Sequence, residues 1–329
     1  MRVFAYDTLD STNTRAAALA REYPGQVLLV TAATQSAGRG RSGRAWASPV
    51  GGAWFTLVWP PPESPESPES PESPESPPPE FYDPVPLVVG LAVAEEIAEK
   101  ILDSGYRIAD SQTHARTADL PATNPLFISP IPYPLSAILL KWPNDILLAG
   151  KKVAGILCER LLPLPTPGAG EGRGEGASEG DTRRIDSIAH PHQTTSYSTT
   201  RPLAHTFLLG VGINVNLDPR NLPIAARYPA TSLRAELGRD IDVPQLIRAC
   251  ANRMAEHLAM FTGQGLTPAV LAAINTRLAF RGRSLTLSTV AGAVTGLCRG
   301  VDAVGALELE VAGQIRRFTS GEVVHVLTV

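Results

Sequence analysis

Residues 27–46 read VLLVTAATQSAGRGRSGRAW, and the parsing of this stretch decides what kind of fold the chain can adopt. Val27 to Ala33 has the apolar, partly β-branched content of a strand, and Gly38-Arg39-Gly40-Arg41-Ser42-Gly43-Arg44 follows it. The run matches G-x-G-x-x-G, but a dinucleotide-binding fold needs a helix to open at those glycines. Here Trp46, Pro49, Gly51 and Gly52 follow, and no helix starts. A Walker-type phosphate loop fails too. Arg44 and Ala45 stand where Lys and Ser/Thr are required, so the magnesium-holding hydroxyl is missing. What is left is a pliable loop with three glycines and three arginines in seven residues. Glycine lets backbone N–H groups approach an anion, and arginine adds planar, permanently charged donors. Anion binding is the functional reading, and a flexible surface loop is the plain one. Contact with RNA backbone is a third, disfavoured by the lack of interleaved aromatics and by a net charge of −3.

Outward from this loop the chain alternates between helix and strand signals. Ser11 is placed to N-cap a helix running to about Glu22, with Ala16, Leu19 and Ala20 on one face. Ala53–Trp59 reads as a strand and Pro86–Leu102 as a helix with proline in its first turn. Ile138–Lys141, Ile146–Leu148 and Val153–Arg160 read as strands, the last two joined through Ala149-Gly150-Lys151-Lys152 as a hairpin. Thr206–Asn216 is a further strand, followed by helices over Val243–Phe261 and Pro268–Asn275. From Ser284 five short β runs at close spacing, with turns at Ala291-Gly292 and Val304-Gly305, indicate a small separate β-barrel.

Three tracts have no core-forming composition and read as insertions, near residues 60–80, 103–134 and 163–202. The first carries five copies of Glu-Ser-Pro and reads as extended and solvated. His190 and His192 lie in the third, a polar tract where solvated histidines outweigh a metal site. A hydrophobic content of 43% over the whole chain supplies a globular core. No run approaches the roughly 18 apolar residues of a membrane span, so no membrane partner is expected. The N-terminus has no apolar signal region, and Cys158, Cys250 and Cys298 are odd in number without a C-x-x-C pair. Both features point to the cytoplasm.

A second constellation lies downstream. Lys141-Trp142-Pro143-Asn144-Asp145 closes an apolar strand, and Lys152-Val153-Ala154-Gly155 opens another. A hairpin there brings Asn144, Asp145 and Lys152 together, either as a surface ion pair of little energetic weight or as part of a site. Gly210-Val211-Gly212-Ile213-Asn214-Val215-Asn216 sets glycines into an apolar strand, where a ligand or backbone approaches closely or a bulge forms.

Ser11-Thr12-Asn13, Gln35 to Trp46, KWPND at 141–145, KVAGIL at 152–157, GVGIN at 210–214 and Arg299-Gly300-Val301-Asp302 occur in that order. Together they resemble the biotin–protein ligases, over nearly all of the chain outside the inserted tracts. The resemblance implies an α+β fold, with a mixed β-sheet flanked by helices similar to class II aminoacyl-tRNA synthetases over 1–278. A small SH3-like β-barrel over 279–329 would follow. It implies ligation of biotin to a lysine of a biotin carboxyl carrier domain of a carboxylase, with ATP and Mg2+, through biotinyl-5′-AMP. By motif position Lys152, Arg41 and Arg39 would be catalytic. Biotin would fall to Ser11, Thr12, Asn13, Gln35, Arg39, Gly40, Arg41, Trp46, Lys152 and Gly155. ATP would fall to Arg44, Asn144, Asp145 and Asn214, with Asp145 as metal ligand. Ten residues precede Ser11, so the N-terminal DNA-binding domain of some family members, and with it a DNA partner, is not expected. Family members occur as monomers and dimers, which leaves a homodimer open. Lipoate–protein ligases share fold and chemistry but usually show an RRxxGG-type run that is missing here. A non-catalytic biotin-sensing or nucleic-acid-binding module would not need Lys152 or the Asn144-Asp145 pair.

Overall fold

The structure, a computed structural model, describes residues 1–60, 84–103, 137–161, 206–222 and 229–326. Apart from Pro60 and Asp103, the three tracts read as insertions lie outside the described residues. A strand that the sequence reading did not include comes first. β1 (Arg2–Leu9) runs parallel to β2 (Leu28–Gln35), and α1 (Thr12–Glu22) forms the crossover between them. β3 (Ala53–Trp59), β4 (Ile138–Lys141), β5 (Asp145–Leu148), β6 (Lys151–Leu161) and β7 (Thr206–Ile213) complete a seven-stranded sheet. Its order is β1-β2-β3-β7-β6-β5-β4, with every pairing after the first antiparallel.

Side chains along a strand alternate between faces, and the sheet buries both. Leu28, Val30, Val58, Leu161 and Leu208 pack under Ala16, Leu19 and Ala20 of α1. The intervening Leu29, Phe55, Leu57, Ala154, Ile156, Leu209 and Val211 join α2 (Val85–Asp103) and α4 (Val243–Gln264) in the larger core. Sandwiched between the sheet and α4, α2 is apolar nearly all round. A side chain at Gly90 would stand 3.3 Å from Ile156 and Leu140, so glycine there lets α2 sit close. α4 begins behind Asp242, whose carboxylate accepts from the Gln245 N–H at 2.9 Å. Thr267 caps α5 (Pro268–Arg277) in the same way. Ser11 occupies the N-cap position of α1, as the sequence indicated, but its side chain makes no capping bond. α3 (Leu233–Leu237) was not anticipated; five residues between a capping Ser232 and a left-handed Gly238 are too few for periodicity to reveal.

The five β runs of the tail form β8 (Ser284–Thr289), β9 (Gly292–Val301), β10 (Leu307–Val311), β11 (Gln314–Phe318) and β12 (Glu322–Val326). They make a second, antiparallel sheet in the order β11-β10-β9-β8-β12. Its Leu285, Leu287, Cys298, Leu307 and Leu309 belong to the same apolar core as α2 and α4. Trp142 Nε1 donates to the Gly305 carbonyl at 3.1 Å across the junction. Ala279 N–H donates to the Leu140 carbonyl at 2.8 Å, and Leu278 bridges Leu140, so the chain leaving α5 covers the β4 edge. Asn275 makes a two-point clasp on β9: Nδ2 donates to the Val301 carbonyl and Oδ1 accepts from the Val301 N–H, both at 2.9 Å. Asn275→Ala is expected to lower the unfolding free energy by about 2 kcal/mol, roughly one per lost bond. Urea denaturation should show an earlier midpoint with an unchanged slope.

Candidate active site

The arginine loop leaves β2 and folds back on itself. Arg39 pairs with Ala45, Gly40 N–H donates to the Arg44 carbonyl at 2.7 Å, and Trp46 N–H donates to the Gly38 carbonyl at 2.8 Å. The tip turns through Ser42 at φ 55° and Gly43 at φ 69°, both in the left-handed region. A side chain at Gly38 would lie 2.4 Å from the Trp46 carbonyl oxygen, so the narrow base of the loop requires glycine. Gln35 anchors that base. Its Oε1 accepts from the Thr12 N–H at 2.7 Å and from Thr12 Oγ1 at 3.1 Å, and its Nε2 donates to Ser48 Oγ at 2.8 Å. Ser11, Thr12 and Asn13 are all buried at the start of α1.

Beneath the loop, the α1 face of β6 and β7 is bare where three glycines stand. Gly155 pairs with Gly212, and Gly210 lies two residues from Gly212 on the same face. A Cβ at Gly155 would stand 2.8 Å from the Trp46 ring, one at Gly212 2.6 Å from Trp46 Nε1, and one at Gly210 2.3 Å from Asn13 Oδ1. The indole therefore lies directly on strand backbone. Its buried Nε1 has no hydrogen-bond partner among the described residues.

Lys152 reaches this face through an irregularity. Ile146 pairs with Ala154, but the next residue, Leu147, pairs with Lys152, so β6 carries one extra residue at Val153. In a regular strand Lys152 and Gly155, three apart, would point to opposite faces; the shift places them on one. Lys152 Nζ sits 4.9 Å from the centre of the Trp46 ring and 2.6 Å from Asp145 Oδ1. Lys141 Nζ lies 3.2 Å from Asp145 Oδ2, so one carboxylate holds two ammonium groups. Burial alone would raise the Asp145 pKa, but the charges of Lys152 and Lys141 and the bonds from both outweigh it, and the net shift is downward. Asn144 Nδ2 donates to the Ile156 carbonyl at 2.7 Å, which aims its Oδ1 at Arg41 Nη1, 3.3 Å away. Burial pulls the Arg41 pKa below its ordinary value, opposed by Asp145. Arg44 Nη1 meets Glu322 Oε1 at 2.9 Å, tying the loop tip to β12 of the second sheet. A cleft of ≈ 350 Å³ opens beside Arg41, Asn144, Ile156, Cys158 and Thr319. Burial pushes the Cys158 thiol up to about 12, so it stays neutral and unreactive at physiological pH.

The loop, the start of α1, Gln35, Trp46, Asn144, Asp145, Lys152 and Gly155 thus converge. Asn214, expected at the nucleotide, donates from Nδ2 to the Thr231 carbonyl at 3.0 Å and from its N–H to the Val153 carbonyl at 2.9 Å. It is 4% exposed and braces the strand behind Lys152. Asp145, expected as a metal ligand, faces an ammonium group with each of its oxygens, and a divalent cation there would meet two like charges. Among the described residues no cluster of three or more His, Cys, Asp or Glu forms a metal site. Sequence reasoning also missed Thr56, Glu159 and the role of Lys141. Thr56 Oγ1 lies 2.5 Å from Asn13 Oδ1 and 2.9 Å from Thr12 Oγ1. A hydroxyl and a carboxylate spaced at period two on strands facing α1 were the available signals.

Gly155→Ala is expected to lift the Trp46 indole off β6. One of the four tryptophans should become more accessible to iodide quenching, and the unfolding free energy should fall by about 1–3 kcal/mol.

Comparison with known proteins places this geometry. Residues 5–74 and 78–163 match the Biotin/lipoate A/B protein ligase family, and residues 282–326 match the Biotin protein ligase C terminal domain. The bifunctional ligase/repressor BirA of Bacillus subtilis (strain 168) is 26% identical over 319 residues, 97% of this chain and 72% of that protein. The biotin–[acetyl-CoA-carboxylase] ligase of Paracoccus denitrificans is 25% identical over 301 residues, covering 91% of this chain and 90% of that one. Among solved structures, the biotin protein ligase of Aquifex aeolicus in complex with biotin and ATP shares the fold. Its TM-score is 0.60 at 22% identity, over 98% of this chain and 97% of that one.

Proposed function

The chain belongs to the biotin/lipoate A/B protein ligase family, and from that premise we propose how its own residues carry out the ligation of biotin. Biotin's carboxylate attacks the α-phosphorus of ATP and expels pyrophosphate, and a lysine amine of the acceptor then displaces AMP from biotinyl-5′-AMP. The acceptor is the biotin carboxyl carrier domain of a carboxylase, in keeping with the ligase of Paracoccus denitrificans. The observation that carries the reading is Lys152, held by Asp145 at the foot of the arginine loop and against Trp46.

The first step brings two anions together. At 4 Å and an effective dielectric near 20 their repulsion is about 4 kcal/mol. Left uncompensated, it would cost about three decades in rate. Fixed cations where those charges meet are the natural remedy. Lys152 is the cation placed to lie between biotin carboxylate and α-phosphate, and leaving Asp145 for them keeps it ion-paired throughout. Arg39, Arg41 and Arg44 cover phosphate from above, and closing the loop keeps water from the acyl adenylate. Asn144, locked to β6, orients Arg41 on the nucleotide side. Ser11, Thr12 and Gln35, with backbone at Arg39 and Gly40, meet the ureido group of biotin. Trp46 walls its apolar part, and the unpartnered Nε1 suits an acceptor on a ligand. Asp145, already paired with two lysines, fits a magnesium ion poorly; the magnesium implied by adenylate chemistry would offset charge on the nucleotide's phosphates, and no step here depends on it.

Biotin-dependent exchange of pyrophosphate into ATP tests the whole reading, and failure of the purified chain to support it would sink it. Lys152→Ala is expected to cut exchange by about two to three decades while the chain stays folded by circular dichroism, with Lys141 still pairing Asp145; exchange within tenfold of wild type would remove Lys152 from its role. Arg41→Gly is expected to let the intermediate escape, read as free biotinyl-5′-AMP in solution by chromatography, whereas full retention would argue against the loop as a clamp.

A further inference from the structure

Glu159 lies on β6 four residues beyond Gly155 and so on the same face. Its Oε2 accepts from Arg39 Nη2 and from Asn13 Nδ2, each at 2.7 Å. The two donors differ in kind. Asn13 is 3% exposed, accepts from Thr56 Oγ1 at 2.5 Å, and fits against Gly210 so closely that no side chain could intervene. The Arg39 side chain is 48% exposed and rides on the loop. One carboxylate oxygen therefore connects a fixed, buried amide to a guanidinium on a pliable segment.

We propose that Glu159 is a positioning residue that tethers the arginine loop to the sheet through Arg39, and so sets the backbone of Arg39 and Gly40 before biotin arrives. The catalytic consequence rests on the proposed function; the tether does not. Three guanidiniums within six residues repel one another, and each is met separately: Arg39 by Glu159, Arg41 by the Asn144 amide oxygen, Arg44 by Glu322. An isolated, half-exposed ion pair usually contributes little because ordering two long side chains costs entropy. Here Asn13 has already ordered the carboxylate, and only Arg39 remains to be fixed.

The test uses the full chain as Glu159→Ala, Glu159→Gln, Arg39→Ala and the Glu159→Ala/Arg39→Ala double variant. Trypsin cleavage after Arg41 and Arg44, without substrates, reads the tether directly. Cleavage is expected to be about threefold to fivefold faster in Glu159→Ala, with Glu159→Gln in between and no further gain in the double variant. In pyrophosphate exchange by Glu159→Ala, KM for biotin should rise by a similar factor while kcat changes less than about twofold. Unchanged loop cleavage in Glu159→Ala, or additive effects in the double variant, would overturn the proposal. So would faster cleavage throughout the chain with no excess at Arg41 and Arg44. Absence of exchange in the wild type would overturn the ligase reading alone, leaving the cleavage rates to judge the tether.

Discussion

The contact between the Trp46 indole and the bare backbone of β6 and β7 sets the geometry of the functional face. A methyl at Gly155 or Gly212 would stand within 2.8 Å of the indole, so the loop descends only because side chains are missing there. Gly210 does the same for Asn13. With the ring and the amide seated, Gly38 can close the loop base, Lys152 can approach the ring face, and Arg41 comes within reach of Asn144. A loop of this composition would otherwise sample many conformations at a large entropic cost. The glycines thus work from opposite ends: those of the loop permit the turn, and those of the sheet give it somewhere to lie.

Charge compensation follows from that placement. Bringing Lys141, Lys152, Arg41 and Arg44 into partly covered positions costs desolvation, and Asp145 and Glu322 offset it by pairing. Asp145 is the centre of this arrangement. Its carboxylate stays ionised because two lysines hold its pKa down, and in turn it fixes where their charges sit. An acidic group so surrounded serves both lysines as a counter-ion.

How far the sequence led depended on the range of each interaction. β3 and β4 were legible to their end residues, because apolar runs bounded by polar or turn residues are local signals. β1 was not, since an edge strand carrying Arg2 and Asp7, with mostly exposed side chains, has no apolar run to announce it. Its parallel pairing depends on β2, beyond the α1 crossover. In the site, Lys152 and Asp145 came from motif and hairpin together, but their shared face depends on the extra residue at Val153, which no periodicity predicts. Glu159 meets an arginine 120 positions earlier, and Asn214 turned inward to a carbonyl on a later segment; both depend on tertiary packing.

The junction between the two sheets carries a consequence for anyone recombining this protein with its relatives. Trp142, Leu140, Asn275 and Glu322 fasten the tail to the rest of the chain, and their bonds end on Gly305, Ala279, Val301 and Arg44. A chimera spliced just after α5 would draw the two members of every one of these contacts from different parents, so the incoming backbone would have to return to the same positions to meet the indole N–H, the Leu140 carbonyl and the Asn275 amide. A transplant that keeps its hinge must carry residues 140–144 and 275 along with the tail, and must match the loop arginine to the incoming acid.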